Sequence, residues 1–343
     1  MPADRPRTGS ARPGDGSDGA VRAMHAKRYN PQRLVVAQPL TSWDTTLLGT
    51  LRTPDERFAN LPGYPFAPHF VSDLASYQGL RVHYLDEGPR EAAKVFLCLH
   101  GQPTWSYLYR QMLPVFTAAG HRVVAPDLLG FGKSDKPADE SRYTFMFHRD
   151  MLKNLVERLD LTNVVLVVQD WGGLLGLTLP MEMPERFSGL LIMNTAFATG
   201  DVPLGQGFLD WRAYNNKNPD LAVGRLLARS CPHLTPAETA AYDAPYPDST
   251  FKGGVRRFPN LVPDNPDAEG AALSRRAREW FQTQWAGRTF MAIGMKDPVL
   301  GPPAMRAVAK IIRNCPSPHE VAEGGHFLQE WGAAVARKAL EVL

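Results

Sequence analysis

Apolar residues come in short blocks along most of this chain. LRVHYLDEG (80–88), KVFLCLHG (94–101) and RVVAPDLLG (122–130) begin the series. VVLVVQD (164–170), GLLIMNTA (189–196), TFMAIGMKD (289–297) and HEVAEGGH (319–326) continue it. Val164–Val168 is an unbroken apolar run of strand length, as expected of a parallel strand buried on both faces. Amphipathic stretches separate the blocks, including a helical pattern through Arg149–Leu159. Strands alternating with helices predict an α/β fold with a mostly parallel central sheet flanked by helices.

The alternation stops between about Ala198 and Asp267. That segment is rich in Asp, Asn, Pro and aromatics, with helical patches such as Pro236–Tyr242. Strands resume afterwards, so it reads as a helical insertion on the loop edge of the sheet, where insertions cover sites at strand carboxyl ends. The expected organisation is a leader over 1–46, core over 47–197, helical cap over 198–267 and core again over 268–343.

Composition changes this picture little. Of 343 residues, 44% are hydrophobic and 21% charged, which excludes a mostly disordered chain. The net charge is +3, but residues 1–34 alone hold seven Lys/Arg against three Asp. The basic balance belongs to that Pro/Gly/Arg-rich segment, and the body gives no reason to expect a nucleic-acid partner. The segment reads as a disordered leader, a start assigned too early (Met24 is an alternative) or a weak anion-binding arm. No apolar run approaches a membrane span, and no secretory h-region follows the basic residues. Cys98, Cys231 and Cys315 are odd in number and far apart, so they make no disulfide framework; free thiols point to the cytoplasm.

Three motifs carry candidate chemistry. The strand at 164–168 gives way to Gln169-Asp170-Trp171-Gly172-Gly173, the layout of a nucleophile elbow. Asp170 holds the nucleophile position, and Val168 stands where the serine elbow has glycine. An aspartate there is equally a helix N-cap. His100-Gly101-Gln102-Pro103 follows the second block, where such folds place half an oxyanion hole; it is equally a Gly/Pro turn. Asp297 ends a later strand, 127 residues after Asp170, and His326 follows 29 residues on. Nine histidines make one well-placed His weak evidence. The order nucleophile, acid, histidine on successive strands is the α/β-hydrolase order. FGKSDKP (131–137) lacks phosphate-loop spacing and reads as a loop shaping the sheet end.

HGQPTWSYLYR, APDLLGFGKSDKP, VLVVQDWGG, AIGMKD and GGHFLQE closely resemble haloalkane dehalogenases, most of all the subfamily of the 1,2-dichloroethane-hydrolysing enzyme. The resemblance runs from about Leu48 to Leu343. It implies an α/β-hydrolase fold with a helical cap and hydrolysis of a carbon–halogen bond. It implies Asp170 as nucleophile, His326 as base and Asp297 as its acid partner. Trp171 and Trp211 match the indole donors to halide, and Gln102 and Trp171 the backbone oxyanion hole. Leu174, Phe208, Phe258, Pro259, Val262, Val299 and Leu300 fall where the family lines its pocket. Gln102 in place of glutamate, Leu174 in place of phenylalanine and a shorter insertion ahead of Trp211 bear on substrate size. The implied partners are a small haloalkane and its halide product, with no metal or cofactor, no membrane, and a monomeric enzyme. An epoxide hydrolase would share Asp170 and His326 and need tyrosine donors, for which Tyr214, Tyr242 and Tyr246 are available. A hydrolase-fold binding protein without chemistry is the third reading.

Overall fold

A computed structural model describes residues 49–77 and 79–343. The expected leader lies outside the described residues. Eight strands form one sheet: β1 (His69–Val71), β2 (Val82–Glu87), β3 (Val95–Leu99), β4 (Arg122–Pro126), β5 (Val164–Val168), β6 (Phe187–Met193), β7 (Arg288–Gly294) and β8 (His319–Val321). Their spatial order is β8-β7-β6-β5-β3-β4-β2-β1. Only β2 runs against its neighbours, pairing antiparallel with β1 and β4. The α/β expectation holds: a mostly parallel sheet flanked by helices. β1 was not anticipated. A further two-residue ladder pairs Thr50–Leu51 with Lys136–Pro137.

Every residue of β3, β4 and β5 is buried, as strands covered on both faces must be. The helices are α1 (Leu113–Ala118), α2 (Phe145–Arg158), α3 (Trp171–Gly176), α4 (Gln206–Lys217), α5 (Val223–Ser230), α6 (Pro236–Ala241), α7 (Gly253–Arg257), α8 (Ala271–Thr283), α9 (Pro302–Ile311) and α10 (Gly332–Leu340). α4 to α7 fill the stretch where the strand pattern lapsed. α2 starts where Thr144 accepts a hydrogen bond from the Phe147 N–H at 3.2 Å. None of the described helices is long and apolar enough to cross a membrane.

Topology positions the site. The chain passes from β3 outward to β4, then returns across β3 to β5. Such a reversal opens a crevice at the strand carboxyl ends. Register keeps those ends level: Leu99 faces Val168, Val168 faces Ile192, and Ile192 faces Met291. The loops after β3, β5, β6 and β7 therefore emerge side by side.

Candidate active site

Asp170 sits on the turn between β5 and α3 with φ 49° and ψ −126°, a conformation L-residues rarely adopt. Small neighbours make the turn possible. A Cβ on Gly172 would lie 2.0 Å from the Leu99 carbonyl oxygen, so only glycine allows α3 to begin so close to β3. The Asp170 N–H donates to the Asn194 carbonyl at 2.9 Å, and Thr195 Oγ1 donates to the Asp170 carbonyl at 2.8 Å. The Asp170 side chain makes no cap bond to α3. Instead Oδ1 accepts from the Gln102 N–H at 2.8 Å. The capping alternative is thereby set aside: the carboxylate faces the crevice.

His326 joins the two acids. Its Nδ1 is 2.8 Å from Asp297 Oδ2, and its Nε2 is 3.6 Å from Asp170 Oδ2. Asp297 is buried and well supplied with donors. Asn194 Nδ2 reaches Oδ2 at 2.8 Å, and the Val299 and Leu300 N–H groups reach Oδ1 at 2.7 and 3.1 Å. Burial alone would raise the Asp297 pKa. The His326 charge, with hydrogen bonds from His326, Asn194 and Val299, holds it below the ordinary value. Burial alone would likewise lower His326. The Asp297 charge and the contacts with both carboxylates push it up to about 10.

Gln102 also ties the core to the insertion. Its Nε2 donates to the Val255 carbonyl on α7 at 2.9 Å. A glutamate carboxylate would offer no proton to that carbonyl, which accounts for glutamine here. The other expected oxyanion donor, the Trp171 N–H, is at the first position of α3, where no intrahelical acceptor exists. His100 is structural: its Nε2 accepts from the Leu128 N–H at 2.9 Å, joining the loops after β3 and β4.

Two cavities of about 650 and 480 Å³ meet at Asp170, sharing Gln102, Phe208, Trp211, Pro298 and Val299 in their walls. The larger also takes in His326, and the smaller takes in Trp171, Leu174, Val262 and Leu300. Phe208 and Trp211, three residues apart on α4, present one helix face to both. Trp171 lines the smaller cavity and Trp211 lines both. Phe258 and Pro259 correct the expectation, because they line neither cavity. Both are buried, and the Phe258 ring packs edge-on to Trp171 with centroids 4.8 Å apart. Phe258 backs the indole wall instead of forming it.

Pattern reading missed Gln169, Asn194 and Thr195. Their only signal was a polar residue ending a buried apolar strand.

The fold, the sharp strand–helix turn and the assembled Asp–His–Asp set define an α/β hydrolase, and the α/β-hydrolase fold family matches residues 94–333. Relatives narrow this further. The haloalkane dehalogenase of Psychrobacter cryohalolentis is 45% identical over 299 residues, covering 85% of this chain and 97% of that protein. Haloalkane dehalogenase 1 of Mycobacterium tuberculosis H37Rv is 45% identical over 295 residues, covering 82% and 94%. The solved structure of haloalkane dehalogenase DpaA from Paraglaciecola agarilytica, described as tetrameric, is 51% identical with a TM-score of 0.84, covering 85% of this chain and 98% of that one. The chain belongs to the haloalkane dehalogenases, hydrolases of carbon–halogen bonds.

Proposed function

We propose that this protein hydrolyses a haloalkane to alcohol, halide and a proton through an alkyl ester on Asp170. The observation that carries the reading is one carboxylate facing both a backbone donor and His326. The Gln102 N–H fixes Oδ1, leaving Oδ2 to attack the halogen-bearing carbon in line. The carbon–halogen bond breaks as the carbon–oxygen bond forms. The halide gains charge during this step. Trp171 and Trp211 supply indole N–H donors that stabilise it without offering an easily transferred proton.

The ester changes the base. In the free enzyme His326 lies between two carboxylates and is held as imidazolium. Alkylation neutralises Asp170, removing one of the two charges that favour protonation, and His326 gives up its Nε2 proton to solvent. His326 then takes a proton from water as the water oxygen bonds to the ester carbonyl carbon. Oδ1, now the carbonyl oxygen, carries the oxyanion beside the Gln102 and Trp171 N–H groups. Collapse breaks the acyl carbon–oxygen bond. The alkoxide takes the His326 proton, and the regenerated carboxylic acid passes its own to His326, restoring the starting imidazolium with one net proton released per turnover. Asp297 holds the tautomer throughout.

Epoxide opening would require an acid on the cap. No tyrosine lines either cavity among the described residues. The Tyr242 hydroxyl donates to Glu330, Tyr246 is hydrogen-bonded to the Pro103 carbonyl at 3.3 Å, and Tyr214 is exposed and stacked on Trp211. That placement favours halide chemistry.

The domain reading is a core of 47–197 and 268–343 carrying a cap of 198–267. Motif likeness to the 1,2-dichloroethane-hydrolysing subfamily supports small substrates. Free cysteines support a cytoplasmic setting. The monomer reading competes with the tetrameric description of DpaA, and sedimentation velocity decides between about 38 kDa and a multiple of it. The test of function is halide release from 1,2-dibromoethane, 1-bromobutane, 1-chlorobutane and 1,2-dichloroethane beside styrene oxide. Halide release lost in Asp170→Asn supports the reading. Epoxide opening without halide release overturns it.

A further inference from the structure

Gln169, immediately before Asp170, is fully buried. Its neighbours orient its amide. Nε2 donates to the His326 main-chain carbonyl at 3.0 Å, a contact only the amide nitrogen can make. Oε1 accepts from Gln329 Nε2 at 3.4 Å. The same Gln169 Nε2 lies 3.1 Å from the Nε2 of the His326 ring. Ring Nδ1 is turned toward Asp297, so ring Nε2 is the atom that exchanges a proton during ester hydrolysis. An amide N–H facing that atom suits a lone pair and opposes a second N–H.

The charged surroundings set the balance. Asp297 faces Nδ1, and Asp170 faces Nε2. Lys296 and Glu323 line the larger cavity on the same side and pair with one another. Arg229 and His233 line it from the insertion. In the free enzyme the two carboxylates outweigh one amide. In the ester, Asp170 is neutral, leaving Asp297 alone against the Gln169 N–H.

We propose that Gln169 is a positioning residue for the second half of the reaction: its amide holds the His326 ring and biases Nε2 toward the unprotonated form that accepts a proton from water. The proposal rests on the alkyl-ester route above. Without this contact, His326 keeps its proton to higher pH and hydrolysis of the ester begins later on the pH scale.

Gln169→Met keeps the length of the side chain and removes the amide. Gln169→Glu keeps the shape and turns an acceptor toward Nε2. Each variant is alkylated with 1-bromobutane, quenched over time between pH 5.5 and 10, and read by intact mass. The midpoint of the adduct-decay profile is expected to rise by about 0.5–1 pH unit in Gln169→Met, the size one hydrogen bond to the neutral ring supports. It rises further in Gln169→Glu, while adduct formation keeps its wild-type pH profile. An unchanged midpoint overturns the proposal, as does a rate loss uniform across pH, which a purely structural role would give. If Gln169→Met fails a thermal-melt check, Gln169→Glu decides by the same criterion. An adduct absent at every pH in the wild type would overturn the ester route itself, a separate and distinguishable failure.

Discussion

Gly101→Ala probes how closely the oxyanion loop is fitted to Asp170. An ideal Cβ at Gly101 would lie 2.4 Å from Asp170 Oδ1 and 2.5 Å from Asp170 Cβ, whereas ordinary contact begins at 3.4 Å. The carboxylate, or the loop, must therefore move by about 1 Å. Gly101 is not among the positive-φ glycines, so alanine meets no separate backbone strain there. Displacing a reacting group by ~1 Å costs on the order of 10²-fold in rate. The neighbouring Gln102 N–H would move with the loop, so both alkylation and hydrolysis should suffer. The assay is rapid-quench single turnover with 1,2-dibromoethane, with a thermal melt to establish folding. We expect the alkylation rate constant to fall about 100-fold with a folded protein. A well-folded variant alkylating within about threefold of wild type would refute the close fit, and with it the placement of the nucleophile.

Further outcomes follow from the same geometry. Trp211→Phe or Trp171→Phe removes one halide donor and should slow alkylation about 10²–10³-fold, measured in single turnover with a brominated substrate. Arg110 is buried and forms a two-pronged pair with Glu330 at 2.7 and 2.9 Å, close after His326 in sequence. Arg110→Met leaves that buried carboxylate without its cation and should cost about 3–5 kcal/mol of stability in urea unfolding. The His326 pKa is raised from 6.5 to about 10, so its charge pairing stabilises the fold fully below pH 6.5 and is lost as pH rises through about 10. The melting-temperature gap between wild type and His326→Gln should therefore narrow from pH 6.5 to pH 10; a constant gap would contradict the pairing.

β2 to β7 were legible because strands with most residues buried leave apolar blocks in the sequence. β1 was not, since only Val71 of its three residues is buried. Asp170 and Asp297 were legible because each follows such a block, and His326 because it completes the nucleophile, acid, histidine order. Gln169, Asn194 and Thr195 also follow blocks, yet their polar character is what any turn would show. What places them is register: Val168 beside Ile192 sets Asp170 against Asn194, a pairing absent from linear spacing. Phe258 shows the converse limit. An aromatic in a helical insertion reads the same whether it faces a cavity or supports the residue that does.

The most direct test is to trap the ester. His326→Phe removes the base but leaves Asp170, the Gln102 N–H and both indoles in place. After exposure to 1-bromobutane, intact and peptide mass spectrometry should find one stoichiometric butyl group, located on Asp170 and persisting for hours. Unmodified protein after halide has been released, or a butyl group on another residue, would contradict the two-step mechanism.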